Sequence, residues 1–184
     1  MIKLVIFDLD GVLIDTRTLH FEVLNQALLE EDERFVISYQ DHLLKFDGLS
    51  TTRKLDILEK ERGLSEYRKE SVWKRKQELT IPKLRETIAQ DEKIRRIASK
   101  LKFDGIKVWV ASNSIKESVE VCIESLGLTY LIDGYLSNSE VNNHKPHPEM
   151  YWHIMTQEGI LPSETLIVED SYIGRSAAVA SGAN

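Results

Sequence analysis

Apolar and polar positions divide the chain into two textures. The opening run Leu4-Val5-Ile6-Phe7 is apolar without alternation, the pattern of a strand buried on both faces of a parallel sheet. Residues 16–87 are rich in charge, carry helical spacing and show no convincing strand. Phe21, Leu24 and Leu28 mark one apolar helix face, and Leu55 with Leu58, then Val72 with Lys76, mark further helices. Gly48, Gly63 and Pro82 punctuate them. From about residue 88 helix and strand alternate. A helix carries Ile94, Ile97, Ala98 and Leu101, a strand covers Lys107–Ala111, and a helix covers 115–126 before Gly127. A short strand follows near Tyr135 and Leu136, then a helix opened by Pro148 and closed by Gly159, a strand over 166–168 and a last helix over 173–181.

Alternating strands and helices predict an α/β fold, a Rossmann-like doubly wound parallel sheet. The helical stretch then becomes an inserted cap. The expected division is a catalytic core of residues 1–15 and 88–184 and a helical cap of residues 16–87, joined by linkers near 15–18 and 85–90. With 184 residues, 42% of them hydrophobic, the chain is long enough for one sizeable core and a small second unit. No apolar run approaches the roughly 20 residues needed to cross a bilayer, and the N-terminus lacks a signal-peptide pattern, so a cytoplasmic location is expected. A net charge of -6 argues against nucleic acid as a partner. The single cysteine, Cys122, lies on the apolar stripe Ile115, Val119, Cys122, Ile123, Leu126 and reads as core. No obligate protein partner is evident.

Chemistry gathers after each expected strand. Asp8 and Asp10 follow the first, Ser112, Asn113 and Ser114 the second, Lys145 lies in the loop after the third, and Glu169 and Asp170 follow the fourth. Parallel sheets bind ligands at the carboxyl ends of their strands, so these groups should converge. Two carboxylates at a buried strand end repel and lose hydration, and a bound cation relieves both costs. Acids for a cation, with a hydroxyl and an ammonium for an anion, suit phosphoryl transfer. Each group also has an ordinary structural use: Asp-Gly as a turn, Ser112 or Ser114 as a helix cap, Lys145 as a loop lysine, and residues 169–171 as a cap for the last helix.

Taken together, Asp8-Leu9-Asp10-Gly11-Val12 with Asp15-Thr16, Ala111-Ser112-Asn113-Ser114, Lys145-Pro146-His147-Pro148 and Val168-Glu169-Asp170-Ser171 resemble, in order and spacing, the four motifs of the haloacid dehalogenase-like superfamily. The helical insertion after the first motif is similar to the small cap of the branch containing β-phosphoglucomutase and many sugar-phosphate phosphatases. The resemblance implies Asp8 as nucleophile and metal ligand. It implies Asp10 as general acid and then base, with its main-chain carbonyl on the metal. Ser112, Asn113 and Lys145 would bind phosphate, Asp170 would bind Mg²⁺, and Glu169 would be a ligand or a partner of one. In the cap, His20 and Lys76 match a pair that gates the general acid, and Ser50, Thr51 and Arg53 lie in the substrate loop. The mutase has an arginine directly after the loop serine. This chain has Thr51 there and Arg53 two residues on, so no clamp for a second phosphate is expected.

The function expected is a Mg²⁺-dependent phosphatase of a small phosphorylated metabolite of the sugar-phosphate type, working through an aspartyl phosphate. A hexose-phosphate mutase is the alternative, and a non-catalytic binding protein on the same fold a third. The relatives implied by the resemblance usually continue into at least one more strand and helix beyond the position of Asn184, so the sequence is either a trimmed version or has a reduced sheet edge, and lowered stability or self-association is expected.

Overall fold

The computed structural model describes residues 1–184. Four parallel strands, β1 (Leu4–Phe7), β2 (Lys107–Ala111), β3 (Gly134–Leu136) and β4 (Thr165–Val168), form one sheet in the order β3-β2-β1-β4. Leu4 pairs in register with Lys107 on one side and Thr165 on the other. This is the α/β architecture the alternation of elements implies.

Alternate side chains of the strands feed two cores. Leu4, Ile6, Trp109 and Ala111 pack on one face with Tyr151, Ile154 and Met155 of α7 (Glu149–Glu158) and Ala177 of α8 (Tyr172–Ser181). Val110, with Phe7 beside it, packs on the other face with Ala98 of α5 (Glu92–Phe103) and with Val119, Val121, Cys122 and Ile123 of α6 (Lys116–Ser125). The period-two geometry of strands divides these residues between faces, and so β1 is apolar throughout and β2 is apolar from Val108 to Ala111. Cys122 is part of this core, where burial pushes its thiol far up.

Between β1 and α5 lies the helical insertion: α1 (Arg17–Glu31), the short α2 (Tyr39–Asp41), α3 (Thr51–Arg62) and α4 (Glu66–Thr87). It surrounds its own core of Leu24, Leu28, Phe35, Phe46, Leu58 and Val72, among others. Leu19 and Val23 of α1 and Leu84 of α4 belong instead to the sheet-side core, so the base of the insertion is anchored there. Two details differ from the sequence reading. Phe21 is only half-buried, and the fully covered face of α1 runs through Leu19, Val23, Leu24, Ala27 and Leu28. Pro82 does not end a helix: α4 continues through it to Thr87, because Thr80 and Leu84, buried on either side of it, hold that turn against neighbouring helices.

β4 stands at the sheet edge, where Ile167 N donates to Asn184 O at 2.9 Å and Asn184 N donates to Thr165 O at 3.1 Å. No helix is long and apolar enough to cross a membrane.

Candidate active site

All four strands end at one place, where core and insertion enclose a cleft of about 890 Å³, its open mouth included. Asp8, Asp10, His20, Ser50, Thr51, Lys76, Ser112, Asn113, Lys145, Glu169 and Asp170 line it. Arg53 does not. It lies on the exposed side of α3, and the neighbouring Lys54 faces the cleft instead.

Lys145 is the hub. Its ammonium, 3% exposed, donates to Asp8 Oδ1 at 2.8 Å, to the Ala111 carbonyl at 2.8 Å and to Glu169 Oε1. Tyr151 donates its hydroxyl to the same Glu169 oxygen at 2.8 Å, and its ring centre lies 5.2 Å from the ammonium. Burial pushes the Asp8 carboxyl up, and the Lys145 ammonium opposes that push. Burial acts on Lys145 the other way, yet Asp8, Tyr151 and Glu169 outweigh it and hold the ammonium charged. Gly174 makes room for Glu169, since a Cβ there would lie 2.0 Å from its carboxylate.

Asp10 has a different environment. Thr16 donates to its Oδ1, Ser114 donates to its Oδ2 at 3.2 Å, and His20 Nε2 lies 3.5 Å from Oδ1. Burial pushes this carboxyl up, but His20, Thr16 and Ser114 together hold it well below the usual carboxylate range. Two acids separated by Leu9 are therefore tuned in opposite directions.

Neither serine of the second motif caps α6, whose preceding residue Ile115 makes no side-chain cap. Ser112, 1% exposed, accepts from Ser114 N at 3.0 Å, and Ser114 turns to Asp10. Asn113 spends its amide on the surrounding loops. It donates to Lys145 O at 3.3 Å and to Gly48 O of the insertion at 3.0 Å, and it accepts from Lys145 N at 3.1 Å. The cap of α8 is Ser171, which accepts from Gly174 N at 2.9 Å and so leaves Glu169 and Asp170 free of that duty.

Carboxylate oxygens of Asp8, Glu169 and Asp170 lie within 4.8 Å of one another. Glu169 is committed to Lys145, Tyr151 and Ser171. Asp170 Oδ1 is buried without any partner, and its carboxyl fills a space that exists only because residue 11 is glycine: a Cβ there would lie 2.0 Å from Oδ2. An orphaned buried carboxylate oxygen beside Asp8 fits a hard divalent cation.

Several residues of the site, in its lining or bonded to it, escape sequence reasoning. Thr16 and Ser114 sit inside the quoted motifs but look like capping residues. Tyr151, His42, Lys54 and Gln77 carry no spacing signal at all. On the insertion side, burial and the nearby Lys54 ammonium pull Lys76 down to about 7, and burial pulls Lys54 down to about 8. The unfolded chain therefore holds more protons between about pH 7 and about pH 10, and stability should rise with pH across that window. Lys76→Met should accordingly raise Tm most at or below about pH 7, with the gain shrinking toward about pH 10. Thermal melts of both proteins across the range check this, and a gain independent of pH contradicts it.

A family model of haloacid dehalogenase-like hydrolases matches residues 5–184. Pyrophosphatase PpaX of Oceanobacillus iheyensis is 26% identical over 175 residues, 93% of this chain and 76% of that protein. A phosphorylated carbohydrates phosphatase of Thermotoga maritima is 24% identical over 181 residues, 97% of this chain and 81% of that protein. The crystal structure of β-phosphoglucomutase from Clostridium difficile matches with a TM-score of 0.84 at 25% identity, over 100% of this chain and 82% of that one. Motif order, fold and relatives agree, and the chain belongs to the haloacid dehalogenase-like hydrolases, in the branch of phosphatases and phosphomutases that includes β-phosphoglucomutase.

Proposed function

We propose that this chain is a Mg²⁺-dependent phosphatase of a small phosphorylated metabolite of the sugar-phosphate type, acting through an aspartyl phosphate, a mixed anhydride, on Asp8. The observation that carries the reading is the pairing of a lysine-bound carboxylate, Asp8, with a second acid, Asp10, held apart from that lysine and fed by three donors.

Asp8 Oδ1 is tied to Lys145, which leaves Oδ2 to attack phosphorus. As that bond forms, the bond from phosphorus to the leaving oxygen breaks, and Asp10 gives that oxygen a proton. Asp10 is ionised at rest. An incoming phosphoryl group adds negative charge beside it and favours its protonated form. Water then attacks the Asp8-bound phosphorus and gives its proton back to Asp10. The bond from Asp8 to phosphorus breaks, and phosphate leaves. Lys145 and the Ser112 hydroxyl face the phosphoryl oxygens, while Glu169 and Tyr151 fix the lysine. Asp8, Asp170 and the Asp10 main-chain carbonyl would hold Mg²⁺, which when bound neutralises charge on those oxygens. Residues 16–87 serve as the cap over core residues 1–15 and 88–184, excluding water and choosing the substrate.

The likeness to β-phosphoglucomutase supports a second reading, in which a sugar hydroxyl replaces water as the acceptor. Phosphate release across a panel of sugar phosphates, nucleotides and phosphoglycolate separates the two. Stoichiometric phosphate supports the phosphatase, and one phosphosugar converting to another without phosphate release supports the mutase. Chelation should abolish either activity and added Mg²⁺ restore it. Asp170→Asn should raise the Mg²⁺ needed for half-activity by roughly 10- to 100-fold, and an unchanged Mg²⁺ titration would remove Asp170 from the metal site.

A further inference from the structure

Helix α5 is amphipathic but poorly covered. Of its 12 residues only Ala98 is buried outright, and Ile97 is 45% exposed. Beside it lies a groove of about 590 Å³, its open mouth included, lined by 11 residues that are all apolar. Among them are Phe7 of β1, Val12 and Leu13 of the turn that follows, Ile94 and Ile97 of α5, and Val168 of β4. Phe7, Val12, Ile94 and Val168 are only half-buried. Leu166 shares the β4 face of Val168 and is 38% exposed. The groove has no lining residue in common with the Asp8 cleft. Contiguous apolar surface left open to water in this way marks an interaction surface.

Two features say what covers it. The lining offers no side-chain donor or acceptor, so an occupant must satisfy its own backbone, which a helix does and a lone strand does not. The second feature is charge. Ile97 is shared with a shallower hollow along α5 whose other walls are Lys93, Arg96, Lys100 and Leu101. Spacings of three and four residues put the three cations on one side of the helix, along the groove's rim. Lys93 and Arg96 form no ion pair, and the Lys100 ammonium pairs with Asp104 at the helix end. Such a rim in a chain of net charge -6 calls for carboxylates opposite it. Two copies facing one another through this groove would set like charges together, and a flat lipid surface does not reach the recessed Phe7, Val12 and Val168. We propose that the groove docks an amphipathic helix of another protein, with apolar side chains one turn apart in the groove and acidic residues along the flank that meets Lys93, Arg96 and Lys100. The inference does not use the phosphatase reading and stands or falls apart from it.

Three labelled helical peptides of about 14 residues, roughly four turns, separate the contributions. The first carries leucine along one face and glutamate on its flank, the second has lysine in place of glutamate, and the third has serine in place of leucine. By fluorescence anisotropy the full chain should bind the first at least about tenfold more tightly than either of the others. Ile97→Glu should weaken that binding by at least about tenfold. Arg96→Glu combined with Lys100→Glu should reverse the order of the glutamate and lysine peptides. Thermal melts show whether each variant is folded, and the double variant, confined to exposed side chains, decides the matter if Ile97→Glu does not fold. No binding up to about 1 mM overturns the inference, as does equal binding of the glutamate and lysine peptides or of the leucine and serine peptides. A concentration-dependent dimer that the Ile97→Glu change dissolves would overturn it in favour of a second copy. Cosedimentation with phosphatidylglycerol vesicles, lost in the double variant and without preference among the peptides, would overturn it in favour of a membrane surface.

Discussion

Asp8→Asn should purify as a folded protein whose phosphate release is at least about 10³-fold below wild type, the scale seen when a nucleophile is removed from an otherwise intact site. The amide keeps the shape of the carboxylate but has no electron pair basic enough to attack phosphorus. Stability should not fall in step. Burial already pushes the Asp8 carboxyl up, so a neutral group at that position loses less to desolvation than the charged one it replaces. Lys145 keeps Glu169 and the Ala111 carbonyl as partners. Phosphate-release kinetics beside a thermal melt separate the two quantities. Full turnover in a folded Asp8→Asn protein removes the aspartyl phosphate from the mechanism, and loss of folding would show that Asp8 is needed by the structure as well as the reaction.

Lys145→Met has the opposite signature, with turnover and stability lost together. Without the ammonium, the carboxylates of Asp8 and Glu169 remain buried and uncompensated, and each raises the energy of the other's charge. Breaking a buried pair of this kind costs about 3–5 kcal/mol. For a chain of this length that is a fall in Tm of roughly 10 °C. Adding Glu169→Gln removes one stranded charge and should return part of the lost stability, while turnover should stay absent because the proposed mechanism also needs the Lys145 ammonium against the phosphoryl oxygens. A double-mutant cycle read by melts and by phosphate release tests both parts. Equal Tm in wild type and Lys145→Met would mean that the Asp8, Lys145 and Glu169 cluster is not the electrostatic centre of the core.

The uneven legibility of this site has a physical pattern. Strands buried on both faces announce themselves as unbroken apolar runs, and the chemistry at their carboxyl ends is anchored to them within one to three residues. Asp8, Asp10, Ser112, Glu169 and Asp170 could therefore be placed from spacing alone. Lys145 follows its strand at a greater distance, so spacing puts it in the right loop and only the motif it belongs to singles it out from an ordinary loop lysine. The insertion offers no such anchor. Which face of α3 meets the cleft depends on how three helices pack, and a rotation of one residue, about 100° on a helix, exchanges Arg53 for Lys54. His42 and Gln77 are invisible for the same reason: only packing turns an ordinary helical polar residue into a buried one. Pro82 misleads because local propensity gives way to tertiary support in a long helix. Glu169 is legible as a ligand or the partner of one, but its contacts with Lys145 and Tyr151 come from elements that the sequence does not place beside it.

Asn113 ties the insertion and the loop of Lys145 to one side chain. Its amide nitrogen is bonded to Gly48 of the insertion and its amide oxygen to the main-chain nitrogen of Lys145. If residues 16–87 open as the proposed function requires, that movement would have to break the bond to Gly48 and leave Asn113 holding the backbone of Lys145 without its brace on the insertion. One side chain would then make the orientation of the ammonium and the position of the insertion a single variable.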